Sequence, residues 1–282
     1  MPSRSSGYDG AVRNVVYRPA EDRRPAPERK RGLGARLALG GGLAGLVSIP
    51  FLLVLLLVES SFKPLQRLDV DTANSLNSFA EGRTWLVHSL DVGSVVLQPW
   101  TFRLVVIAVA VWLWFRGARR LAIWAVVTMA AGGVLAGILK VVVARARPHF
   151  PEPVAHAGGY SFPSGHAMNS MLGVAVLILV FLPVLTRAGR VIAYTLGALV
   201  VLATGFDRVA LGVHFVSDVV AGWIAALAVV AGTAGAFEIW RREHGRRPST
   251  VADGVEPEAA PEIDPERPPG PARTDAADRT RT

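Results

Sequence analysis

No cysteine occurs anywhere in the 282-residue chain. Disulfides, thiolate nucleophiles and cysteine metal sites are therefore excluded, and any nucleophile has to be a different residue. Charge is also scarce: 18% of residues are Asp, Glu, Lys or Arg, against 51% hydrophobic, and the mean hydropathy is +0.37. That balance is too apolar for an ordinary soluble domain of this length and points to a membrane protein. The net charge of +8 sits beside apolar runs and forms no basic helix with interleaved aromatics, so nucleic acid is not implied as a partner. Internal repeats are lacking as well.

What is present is a series of long apolar runs. Residues 37–58, LALGGGLAGLVSIPFLLVLLLV, carry no charge over 22 positions, which matches the roughly 20 residues a helix needs to cross a bilayer. Further runs lie at about 99–115, 121–139, 167–186 and 191–206, with a last one ending near residue 237. They are too long and too continuously apolar for barrel strands, so the expected fold is all-α: a polytopic membrane protein with a six-transmembrane-helix bundle over residues 37–240. Residues 1–36 hold nine Lys/Arg against four Asp/Glu, with Pro and Ser throughout, and read as a disordered basic arm. Residues 241–282 read as a disordered proline-rich tail; from Pro248 on there are seven prolines and no aromatic residue. The cations RGARR (116–120), TRAGR (186–190) and RREHGRR (241–247) fall on the same side as the arm. The positive-inside rule then puts both termini in the cytoplasm of a cell-membrane protein. The 59–99 connection has three Lys/Arg and five Asp/Glu and is expected outside, with an amphipathic helix over about 69–89 lying along the outer interface.

With this topology three polar pieces meet at the outer boundary. In KVVVARARP, Lys140 and Arg147 are seven residues apart, two helical turns, and share a face if the helix continues until Pro148 ends it. Two cations snorkelling to headgroups would look the same. In PSGH, Gly165 permits close backbone approach, Ser164 offers a hydroxyl and a cap, and the free N–H groups of the following helix make an anion site. A plain capped helix start fits this tetrapeptide too, and His166 is what distinguishes the functional reading. In DRVALGVHFVSD, His214 and Asp218 are four apart, so a carboxylate can fix the imidazole tautomer. Arg208 and His214 cannot face one target on an unbroken helix, and Gly212 is placed to break it. A His–Asp pair of this kind also serves as a proton relay or a satisfied buried pair. Three cations, hydroxyl and amide donors and two imidazoles suit a phosphate dianion without a metal. A metal site drawn from His149, His156, His166 and His214 is disfavoured by the surrounding cations.

The three motifs K-x6-R-P (Lys140 to Pro148), P-S-G-H (Pro163 to His166) and R-x5-H-x3-D (Arg208 to Asp218), in this order, resemble those of the type 2 phosphatidic acid phosphatase superfamily, which includes the vanadium-dependent haloperoxidases. The resemblance covers about residues 37–240. It implies a six-helix core and a phosphatase that needs no metal or other cofactor and passes through a phosphohistidine. By that resemblance His214 is the nucleophile, Asp218 its orienting carboxylate and His166 the general acid. Lys140, Arg147, Ser164, Gly165 and Arg208 hold the phosphoryl oxygens. One residue departs from the pattern: Asp207 stands where the family usually has Ser, and either pairs with Arg208 or points away as a helix cap.

The expected substrate is a lipid phosphate held in the membrane: phosphatidic acid, phosphatidylglycerol phosphate or a polyprenyl pyrophosphate. Two other classes compete with this reading. A vanadate-dependent haloperoxidase would use the same anion pocket, but those relatives are soluble. A lipid-phosphate binder or transporter would keep the pocket without the chemistry. Arg145 and His149 are near enough to touch a headgroup, and solvated contacts explain them equally. Nothing in the chain specifies an oligomeric state.

Overall fold

The computed structural model describes residues 33–151, 153–246 and 248–266, with side chains in the first helix described from Gly45 on. The basic arm up to residue 32 and the last residues of the tail, 267–282, lie outside the described residues. The architecture is all-α, as expected. Helices α1 (Leu33–Glu59), α2 (Lys63–Ala80), α3 (Thr84–Val96), α4 (Pro99–Arg116), α5 (Arg119–Val143), α6 (Gly165–Phe181), α7 (Arg187–Ala210) and α8 (Val216–Glu243) follow in order, and a short α9 (Ala260–Ile263) closes the described part.

Local chemistry sets the boundaries. Pro64 and Pro99 stand in the first turns of α2 and α4, where a missing N–H costs nothing. Gly117 ends α4 at φ +97°. Thr186 caps α7 by accepting the Gly189 N–H at 3.1 Å, and Gly212, at φ +67°, separates α7 from α8. The expected break between Arg208 and His214 is therefore present. The helix carrying Lys140, in contrast, stops earlier than expected. It ends at Val143, with Ala144 in a left-handed conformation, so Lys140 and Arg147 do not share a helical face.

By length and composition, four helices of the described residues can cross a membrane: α3 running into α4, α5, α7 and α8. A fifth appears if the described part of α1 and α2, bent by 85° at residues 60–62, counts as one span. The expected count of six is not reached. The shortfall lies in α6, which starts at Gly165 and has 17 residues. That is about 25 Å of helix against a hydrocarbon layer of about 30 Å.

Helices α6 and α8 form the centre. α8 packs along α1 and α6, and α6 also meets α4, α5 and α7. Met168, Leu172, Val176 and Val180 of α6 are fully buried. Lipid tails are as apolar as these side chains, so close packing rather than water exclusion holds such a bundle. Gly132 shows how close: a Cβ there would lie 2.2 Å from Leu172 Cδ1. Large apolar side chains such as Leu104, Phe115, Val141 and Leu199 point outward, as lipid-facing walls require. The 59–99 connection forms two helices rather than one. α2 buries Asp69, Ala73, Asn77 and Ala80 and packs on α7 and α8.

Residues 241–266 correct the expectation of a structureless tail from 241 on. α8 runs to Glu243, and the chain then folds back with Val255, Ala259 and Ile263 buried in the main core. Arg241, 1% exposed, pairs with Glu238 and with Glu258, the latter at 2.7 Å from Oε2. Arg190 donates to the Ala252 carbonyl at 2.9 Å and Arg116 to that of Glu262 at 3.0 Å. Composition missed this clasp because proline content masks three apolar residues at four-residue spacing and acids placed to meet cationic helix ends.

Candidate active site

At the pole opposite the clasp, the C-terminal ends of α5 and α7 meet the N-terminal ends of α6 and α8. The turn before α6 is held from two sides. Ser161 N–H donates to the Arg145 carbonyl at 2.8 Å, and Ser164 N–H to the Asp218 carbonyl at 3.0 Å. Ser164 caps α6, its Oγ accepting from Ala167 N–H at 3.4 Å. Gly222 of α8 allows this approach, since a Cβ there would lie 2.8 Å from the Ser164 carbonyl oxygen. Above Gly165 there is open space, and the residue is half-buried, so its backbone remains reachable.

The other expected residues converge on the same turn. Lys140 Nζ donates to the Tyr160 carbonyl at 2.7 Å. Arg147 donates to the carbonyls of Gly158, Gly159 and Val213 at 3.0, 3.1 and 2.6 Å, and its Nη1 lies 3.1 Å from His214 Nε2. Arg208 Nη1 approaches His166 Nε2 at 3.4 Å, and the Arg208 carbonyl accepts the His214 N–H at 3.2 Å. All eight expected site residues therefore form one connected cluster, Gly165 by its place between Ser164 and His166.

His214 is buried in the loop after α7, with Nδ1 3.5 Å from Asp218 Oδ2 and 3.4 Å from Ser161 Oγ. Asp218, fully buried, accepts from Ser161 Oγ and from Phe215 N–H at 2.9 Å through Oδ2, and from Arg145 Nη1 at 2.6 Å through Oδ1. A carboxylate behind Nδ1 holds the proton there and leaves the Nε2 lone pair facing Arg147. Burial pushes the His214 pKa down to about 4, opposed by the hydrogen bond and charge of Asp218 and reinforced by Arg147 and Lys140. The imidazole is thus neutral, with its free nitrogen among cations, an arrangement suited to attack on an anionic centre.

Asp207 pairs with Arg208, accepting from Nε at 2.8 Å and from Nη2, all through Oδ2. Of the two alternatives open from sequence, the structure takes the pair. Arg145 does not reach out to a headgroup: besides Asp218 it binds Asp69 at 2.8 Å and Ser217 Oγ at 2.7 Å and lies over the Phe215 ring. Sequence reasoning gave no role to Asp69, Ser161 or Ser217. Ser161 was signalled by its place in the same turn as PSGH, and Asp69 by sharing one helical face with Ala73, Asn77 and Ala80.

A model of the PAP2 superfamily matches residues 121–242. Similar proteins include phosphatidylglycerophosphatase B of Bacillus subtilis (strain 168), 37% identical over 89 residues, 30% of this chain and 43% of that protein. An undecaprenyl-diphosphatase of Sulfolobus acidocaldarius is 31% identical over 120 residues, 41% of this chain and 54% of that one. The matched region thus spans about half the length of these curated relatives. The crystal structure of a transmembrane PAP2 type phosphatidylglycerolphosphate phosphatase from Bacillus subtilis superimposes with a TM-score of 0.59 at 21% identity, over 74% of this chain and 99% of that one. It shares the fold, and the PAP2 match contains all three motifs.

Proposed function

We propose that this protein is an integral-membrane lipid phosphatase that works through a phosphohistidine at His214 without a metal. The observation that carries the reading is the His214 environment. Asp218 backs Nδ1 while Nε2 faces Arg147, so a neutral imidazole meets a cationic cradle. The names of the PAP2 relatives, one a phosphatidylglycerophosphatase and one an undecaprenyl-diphosphatase, support lipid monophosphate or diphosphate headgroups as substrates.

In this mechanism Lys140, Arg147, Arg208, Ser164 and the Gly165 N–H hold the phosphoryl oxygens. His214 Nε2 forms a bond to phosphorus as the bond to the leaving oxygen breaks, and His166 protonates that oxygen. Water then attacks phosphorus, giving its proton to His166; the N–P bond breaks and inorganic phosphate leaves. The clasp pole collects Arg116, Arg119, Arg120, Arg187, Arg190, Arg241 and Arg242 at helix ends, which by the positive-inside rule orients it to the cytoplasm and the site to the extracytoplasmic face of the cell membrane. The test is phosphate release from phosphatidic acid, phosphatidylglycerol phosphate and a polyprenyl diphosphate by purified protein in detergent with EDTA present. Release by the wild type and its loss in His214→Ala is expected; wild-type rates in that variant overturn the mechanism.

A further inference from the structure

Asp69 lies on α2, outside the matched PAP2 region, yet it is fully buried against the catalytic pole. Its Oδ1 accepts the Ser217 N–H at 2.9 Å; its Oδ2 accepts from Ser217 Oγ and from Arg145 Nη2 at 2.8 Å. Arg145 passes the contact on, its Nη1 meeting Asp218 Oδ1 at 2.6 Å. Asp218 Oδ2 is left for Ser161, the Phe215 N–H and His214. Two buried carboxylates thus flank one guanidinium, and a buried ion keeps its place only when paired and hydrogen-bonded. Asp69 also fixes the first turn of α8, on which Asp218 is the next residue after Ser217.

We propose that Asp69 is a positioning residue for the phosphoryl-transfer site. By holding Arg145 and Ser217 from α2, it turns the Asp218 carboxylate so that Oδ2 keeps the His214 proton on Nδ1. Without Asp69, the guanidinium is free to engage both Asp218 oxygens bidentately, as Arg–carboxylate pairs prefer. Nδ1 then loses its acceptor, and the imidazole populates the tautomer protonated on Nε2, which cannot attack phosphorus. The kinetic part rests on the phosphatase reading; the tautomer part does not.

The experiment joins turnover with ¹⁵N-histidine NMR in detergent at pH 7, which reads the tautomer directly. The chain has only six histidines, and the His214 signals are assigned by their loss in His214→Ala. Wild type is expected to show the Nδ1–H form. Asp69→Asn keeps the shape and removes the charge. It is expected to populate the Nε2–H form and to lower kcat about tenfold with KM within about twofold, less than the ~10⁴ known for replacing a directly bonded triad carboxylate. Unchanged tautomer and kcat in Asp69→Asn overturn the proposal, whatever happens to thermal stability, since a purely structural residue would move only the latter. Should this variant not fold, Ser217→Ala removes one Asp69 contact and is expected to shift both readouts in the same direction; no shift in either overturns the proposal too. If wild type hydrolyses no lipid phosphate, the proposed function falls while the tautomer populations still decide the role of Asp69.

Discussion

Asp207→Ser isolates the effect of a carboxylate next to Arg208, an arginine proposed to bind phosphate. Asp207 is 5% exposed and takes both Nε and Nη2 of Arg208, while Nη1 lies toward His166. A phosphate on the far side of the guanidinium sits about 8 Å from the carboxylate. At that distance charges of −1 and −2 repel by roughly 1–4 kcal/mol for effective dielectric constants between 80 and 20. The lower end, about 1 kcal/mol, is the prudent figure for a site open to water, and corresponds to about a fivefold gain in phosphate affinity. The substitution also frees two N–H donors for a bidentate grip. The cost falls on the free protein, where Arg208 loses its buried partner. Inorganic phosphate as competitive inhibitor reads the affinity without the complication of a lipid aggregate. The expected outcome is a Ki about fivefold lower, with a lower melting temperature that added phosphate restores. A Ki that rises, or stays the same with kcat/KM reduced, refutes the reasoning and makes Asp207 an orienting partner of Arg208.

The lowered His214 pKa carries a sign for both activity and stability. In the proposed mechanism the neutral form attacks, so the acid limb that His214 sets on kcat/KM should fall only as pH nears 4. The unfolded chain takes up this proton near pH 6.5 and the folded one not until about 4; the associated stability, roughly 3 kcal/mol, is complete above pH 6.5 and lost between these values. Melting curves against pH should lose that slope in His214→Ala. Gly222→Ala sets a Cβ 2.8 Å from the Ser164 carbonyl oxygen; a backbone shift of the PSGH turn should cost about 1–3 kcal/mol and most of the turnover, whereas wild-type kinetics would show that α6 can retreat freely. Arg241→Ala breaks the clasp and leaves Glu238 and Glu258 facing each other; since both are partly exposed, a loss of about 1–3 kcal/mol in thermal stability is expected, with KM unchanged.

The legible part of this protein was the part written in short-range pattern. Apolar runs disclosed the helices, and Gly212 disclosed the turn that lets Arg208 and His214 face one another. The cluster of eight residues followed from three local motifs. What stayed hidden depends on partners distant in the chain. Arg145 alternates with Arg147 beside a proline and looks like a surface cation, yet it is half-buried and paired with Asp69 and Asp218. The clasp is proline-rich and without aromatics, yet its Glu262 and Ala252 carbonyls and its Glu258 carboxylate find partners on α4, α7 and α8. The end of α5 at Val143 was obscured for another reason: Ala144 takes a left-handed turn that alanine rarely adopts and no propensity announces.

The bonds from Asp69 to Ser217 join residues 148 positions apart. A ribosome finishes α2 long before it makes α8, and pairing at such separation waits on the late arrival. Until α8 is inserted, the Asp69 carboxylate has neither Ser217 nor a guanidinium anchored by Asp218. Assembly of the proposed phosphatase site therefore waits on α8, so a chain interrupted before α8 holds no assembled site.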